Sequence, residues 1–221
     1  MKPTAPMPAE TQGPAPVTFS KKMITWIVAA VVGLGLIAWV AGTYNRLVTS
    51  RETVSTAWSA VESDYQRRTD LVPNLVSTVK GAAGFEQDTL VKVTEARAKA
   101  TSTKVDLNSP ESIAAFSANQ GQLSGALSRL LVSVEAYPDL TATQNFKDLQ
   151  AQLEGTENRI SVARKDYSAA AKDYNAIRNR FPSNIIAGIF GFKERTYFEA
   201  EAGSDKAPKV DFTTPTSTTA Q

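Results

Sequence analysis

The feature that most constrains this chain is an apolar stripe whose steps alternate between four and three residues. Leu47, Arg51, Val54, Trp58, Val61, Tyr65, Arg68, Val72, Leu75 and Val79 follow it. Such spacing collects side chains on one face of an α-helix. Ser50, Glu52, Ser55, Ser59 and Glu62 fall off the stripe and can face water. The same alternation returns at Ile113, Phe116, Gln120, Leu123, Leu127, Leu130, Val134 and Tyr137. It returns again at Phe146, Leu149, Leu153, Thr156, Ile160, Ala163, Tyr167, Ala170, Tyr174, Ile177 and Phe181. A shorter copy runs through Glu86, Leu90, Val93, Arg97 and Ala100. Nothing between the copies shows the two-residue alternation of a strand. The chain is therefore expected to be all-α.

The breaks between copies are chemically marked. GAAG at 81–84 separates the first two. In DLNSPES at 106–112, Ser109 is a candidate N-cap and Pro110 suits a first helical position. Pro138 and Pro182 end the third and fourth copies, because the residue before a proline is pushed out of the α region. Four helices with short connections favour an antiparallel up-down-up-down bundle over a long homomeric coiled coil, which would run on without stops.

A membrane anchor precedes the bundle. Residues 23–43 carry no charge, and a helix needs about 20 such residues to cross the hydrocarbon core. Trp26, Trp39 and Tyr44 sit near its ends, where amphipathic rings favour the interface. A cleaved signal sequence is the competing reading, but the run exceeds the roughly 7–15 residues of a signal core. Lys21 and Lys22 nearly balance Arg46 and Arg51. The lysine pair abuts the run directly and so favours an inside amino terminus, which places the bundle on the outer, periplasmic or extracellular, side of a bacterial cytoplasmic membrane. The expected organisation is a Pro-rich disordered tail at 1–22, the span at 23–43, the bundle at 44–182, a docking segment at 183–212 and a disordered tail at 213–221.

Composition excludes much chemistry. The 221 residues include no cysteine and no histidine, which removes thiol nucleophiles, imidazole bases and His-containing metal sites. No EF-hand spacing and no Gly-rich phosphate loop is present; the glycines of GLGLIAWVAG belong to the span. No cofactor is expected. The net charge is +2 with no basic run interleaved with aromatics, so nucleic acid is not an expected partner.

Several polar residues stand on the apolar stripes. A charge there is costly unless paired and hydrogen-bonded. Arg68, Asp70, Glu86, Arg97 and Glu135 are the candidate network; Glu86, Glu95, Glu135 and Asp70 are the candidate acceptors, with Glu86 favoured for Arg68 and Glu135 a candidate for Arg97. Pro73 lacks an N–H, so it deprives the Thr69 carbonyl of its helical donor and should kink the helix, with Asp70 capping the restarted segment. Beyond the bundle, Ile185, Ile186, Ile189, Phe190 and Phe192 form an apolar cluster. It suits either a tail docked on the bundle or a surface that contacts lipid or a partner.

The order of these segments resembles a known family. An N-terminal membrane helix is followed by YNRLVTSRETVSTAWSAVESDYQRRTDLVPNLVSTVKG, FEQDTLVKVTEARAKA, LSRLLVSVEAYPDL, YNAIRNRFPSNIIAGIFGFKERTYFEA and APKVDF. This is similar to the bacterial LemA family over about residues 24–212. The resemblance implies a membrane-anchored helical bundle and supplies no defined activity. It also implies a short amino terminus outside the cell, against the charge argument, so orientation stays open.

The sequence as a whole points to a non-enzymatic, single-pass membrane protein that binds other membrane or envelope proteins as a scaffold or accessory factor. A carboxylate-based metal-dependent enzyme and a lipid-binding envelope protein are the alternatives. Homo-oligomerisation stays open.

Overall fold

The computed structural model describes residues 20–81 and 85–198. The expected tails at 213–221 and, but for its last residues, at 1–22 lie outside these residues, as does the docking segment beyond 198. Six helices appear in chain order: α1 (Lys21–Lys80), α2 (Gln87–Ser102), α3 (Pro110–Val134), α4 (Pro138–Thr141), α5 (Gln144–Asn179) and α6 (Ser183–Ile189). No strand occurs among the described residues. The chain divides into two compact units, Met1–Asn45 and Arg46–Gln221.

The first unit holds the apolar start of α1. It is long and apolar enough to cross a bilayer, and its large side chains, among them Trp26, Leu34 and Ile37, are exposed. The second unit is the bundle, built by the remainder of α1 with α2, α3 and α5. The stripes are its core: Leu47, Val54, Trp58, Val61, Tyr65, Arg68, Val72, Leu75 and Val79 are all buried on α1. The helix ends are the ones the sequence marks. Ser109 accepts from the Ser112 N–H and Pro110 opens α3; Thr143 accepts from the Phe146 N–H to open α5. Phe181 departs from its stripe, since α5 ends at Asn179, and it stands exposed.

The core has two chemically different halves. One is mainly aliphatic: Leu75 and Val79 pack with Val93, Leu123, Leu130 and Leu153, with Phe146 among them. The other is aromatic. Trp58 meets Phe116 and Tyr167 edge-on and stacks on Phe198, while Tyr65 meets Phe116 edge-on at 5.0 Å. In sequence, Arg68, Gln120 and Thr156 fall between the two groups on α1, α3 and α5, and all three are buried.

The short α2 leaves the aromatic half short of one helix, and a strap at 192–198 joins that half. The turn into the strap needs glycine. Gly191 has φ +69°, and the Phe192 N–H reaches the Ala187 carbonyl while the Gly191 N–H reaches Gly188, a Schellman closure of α6. The strap has no helix or ladder of its own, so α5 side chains satisfy its backbone. Asn175 accepts from the Arg195 N–H and donates to its carbonyl. Tyr174 and Tyr167 donate to the Lys193 and Thr196 carbonyls, and Arg178 donates to Phe192. The Thr196 N–H donates to Leu107, beside the start of α3.

Candidate functional site

Arg68 joins three helices. Its Nη1 donates to Ser124 Oγ on α3 and to Glu157 Oε1 on α5, each at 2.7 Å. Its Nη2 donates to the backbone and side-chain oxygens of Gln120. The guanidinium lies over the Tyr65 ring, 4.9 Å from its centroid. Arg68 is only 2% exposed, while the Glu157 side chain is 47% exposed. The ion pair therefore runs from the interior to the surface, which lowers the desolvation cost of the carboxylate. Burial raises the Tyr65 pKa, against the opposing field of Arg164 and Arg68. Gln120 in turn donates to the Ala100 carbonyl, so α2 joins the same layer.

Pro73 is the second joint. α1 continues through it, so Thr69 keeps a carbonyl that residue 73 cannot serve. Arg97 of α2 serves it instead, its Nε donating at 2.8 Å. A missing backbone donor is thereby replaced by a charged side chain from the neighbouring helix.

This geometry corrects the expected pairings. Glu86 does not reach Arg68; it is exposed at the N-cap of α2 and accepts from Thr89. Arg68 lies about three helical turns before the α1–α2 connection, whereas Glu86 sits immediately after it, and antiparallel helices do not bring such positions together. Asp70 caps no restarted segment; it is exposed within continuous α1 and accepts from Gln66 Nε2. Arg97 turns to Thr69, and Glu135 stands exposed at the C-cap of α3. Glu157, the acceptor that does meet Arg68, is 89 positions away and one residue past the stripe position Thr156.

The Arg68–Glu157 pair lines a cleft of about 660 Å³ between α3 and α5. Its α3 wall is built largely of small residues, among them Ala114, Ser117, Ala118, Gly121, Ser124 and Gly125, with Ile113 and Gln120 also lining it. The bundle itself does not require these glycines. A Cβ on Gly121 would meet nothing within 4 Å, and one on Gly125 would meet only the Arg129 guanidinium at 3.8 Å. Each glycine costs a helix interior about 1 kcal/mol relative to alanine.

The apolar cluster after α5 divides in two. Ile186 and Phe192 are buried, whereas Ile185, Ile189 and Phe190 are exposed. Among the described residues, no group of three Asp or Glu side chains converges as a metal site would need.

The sequence profile of the LemA family matches residues 57–212, well over half of the chain. This chain belongs to the LemA family. It is 28% identical to magnetosome protein MamQ 2 of Paramagnetospirillum magneticum over 198 residues, covering 81% of this chain and 73% of that protein. It is 26% identical to magnetosome protein MamQ of Magnetospirillum gryphiswaldense over 203 residues, covering 81% of this chain and 74% of that protein. It is 23% identical to protein LemA of Metamycoplasma hominis over 186 residues, covering 84% of this chain and 82% of that protein. As a LemA-family protein with an apolar helix fit to be an anchor, the chain is a membrane-associated helical protein.

Proposed function

We propose that this LemA-family chain is a non-enzymatic protein-binding module, anchored in the bacterial cytoplasmic membrane by residues 23–43. It works as a scaffold or accessory factor for other membrane or envelope proteins, with the bundle on the outer side. One observation carries the reading: the α3–α5 cleft is walled by small residues at the four-residue spacing of Ser117, Gly121 and Gly125, which internal packing does not require. A face of that kind lets a second helix approach closely. The half-exposed Glu157 and the adjacent Arg164 give the cleft polar groups to fix the register of a bound helix.

The test is photocrosslinking of the full chain in its native membranes. A photoreactive residue at Ser117 or Gly121 should give discrete protein adducts, and one at exposed Lys172 on α5 should not. Gly121→Leu should abolish the Ser117 adducts while leaving the melting temperature within a few degrees. Identical adduct patterns at Ser117 and Lys172 would sink the reading.

A further inference from the structure

The outer face of α6 carries an apolar surface that the bundle does not cover. Among the described residues from Arg46 onward, eight large hydrophobic side chains are exposed, and four of them fall between residues 181 and 190. Val91, Val132 and Val162 are scattered singly and need no explanation. By contrast, Ile185 and Ile189 lie one turn apart on α6, Phe181 stands in the turn just before it, and the three are 51%, 72% and 76% exposed.

This face is held outward. Ile186 and Ala187 on the opposite side of α6 are 5% and 2% exposed, and Phe192 is 6% exposed. The Schellman closure at Gly191 and the bond from Arg178 to the Phe192 carbonyl fix the exit of the helix. Rotating α6 to hide Ile185 and Ile189 would expose Ile186 and Ala187 in exchange.

Two observations select the occupant. The first is charge. From Asn179 to Phe192 the sole charged residue is Arg180, and Lys193 follows; both are exposed. The next acid along the chain, Glu194, already lies 3.8 Å from Arg178. The Asp106 carboxylate has its pKa lowered chiefly by bonds from Asn108 and further by the field of Lys193, which leaves Arg180 as the cation with no acid paired to it by a salt bridge among the described residues. An apolar face rimmed by cations suits the headgroup boundary of an anionic bilayer. The second is the tether. The Arg51 guanidinium lies 5.5 Å from the Phe192 ring centroid, and Arg51 follows Thr43, the end of the uncharged run, by eight residues. Even fully extended, that chain spans no more than about 29 Å. The α6 end of the bundle therefore cannot travel far from the bilayer. Confinement of this kind lets a surface too small to bind vesicles from solution remain engaged.

We propose that Phe181, Ile185 and Ile189 insert into the headgroup region of the membrane that α1 anchors, with Arg180 and Lys193 against anionic headgroups. The contact sets the stance of the bundle over the bilayer and leaves the α3–α5 cleft to protein partners.

The native chain has no cysteine, so single cysteines at Ile185, Ile189 and the control Val162 can carry an environment-sensitive fluorophore. The full chain is reconstituted at about one copy per vesicle in phosphatidylcholine with and without phosphatidylglycerol. Labels at 185 and 189 should emit to the blue of the label at 162 and lose most of their quenching by aqueous iodide, more so with the anionic lipid. Arg180→Gln with Lys193→Gln should remove the dependence on anionic lipid. Emission and quenching equal to the control at both positions would overturn the proposal. Protection that appears only at high protein density would also overturn it, since a second copy would then be the occupant.

Discussion

Restoring the missing donor at Pro73 should make Arg97 dispensable. In the native chain the Thr69 carbonyl has no N–H at residue 73 and receives Arg97 Nε at 2.8 Å. A hydrogen bond to a charged group contributes about 1.5–3 kcal/mol, and half-buried Arg97 belongs at the low end, so Arg97→Ala should cost about 1.5 kcal/mol. Proline in a helix interior costs roughly 3 kcal/mol relative to alanine, part of which Arg97 already offsets, so Pro73→Ala should stabilise by about 1–2 kcal/mol. In the Pro73→Ala background the carbonyl has its helical partner. Arg97→Ala should then cost only about 0.5 kcal/mol, the loss of stem packing and of a redundant bond. The cycle therefore predicts a coupling of about 1 kcal/mol, beyond the roughly 0.3–0.5 kcal/mol within which independent sites add. The assay is urea unfolding of the Arg46–Gln221 fragment, followed by far-ultraviolet circular dichroism. Additive losses within that window would show that Arg97 does not stand in for the absent donor. A further loss of stability on Pro73→Ala would show that the proline ring itself packs α1 into place.

The Arg68 layer should respond asymmetrically. Arg68→Ala deprives Gln120 Oε1 and Ser124 Oγ of their guanidinium donor and should cost about 3–5 kcal/mol, Glu157→Ala opens to solvent and should cost about 1–2 kcal/mol, and exposed Arg67→Ala should stay within about 0.5 kcal/mol by the same urea assay. Equal losses at 67 and 68 would mean that Arg68 is not a joint. Alkaline pH should unfold the bundle through its tyrosines. Burial pushes the Tyr167 pKa up to about 12, while an unfolded tyrosine titrates near ~10, so its contribution is complete below about pH 10 and is lost as pH rises through about 12. Tyr167→Phe should flatten that limb of a melting-temperature profile between pH 9 and 12; an unchanged limb would acquit this residue. Asn175→Ala removes both bonds to Arg195 and should free the strap, seen as protease cleavage near residue 195 at conditions where α2 and α3 remain intact. Unchanged protection would mean that the tyrosine bonds alone hold it.

The helices were legible because burial and periodicity are one signal on a helix. Steps of four and three across 47–79, 113–137 and 146–177 name the buried face before any partner is known, and GAAG, Ser109 with Pro110, Pro138 and Pro182 mark the breaks between the copies. Even the vacancy at Thr69 follows from the sequence alone, since a proline removes the N–H four residues on. What fills the vacancy does not follow. Arg97 lies 28 positions from Thr69, and Glu157 lies 89 from Arg68. Local pattern says that a charge on a stripe must be paired, and helix register alone decides with which residue. The cleft is tertiary for the same reason: small residues at 117, 121 and 125 become a wall only when α5 stands opposite them. The strap at 192–198 has no periodic signal of its own. Its backbone is satisfied by Tyr167 and Tyr174 of α5, which on their stripe read simply as core, and by Asn175 one step off that stripe. Periodicity determined which faces turn inward, because hydrophobic burial is indifferent to partner. Hydrogen bonds are directional and join residues far apart in the chain, so their partners were decided by the packed structure.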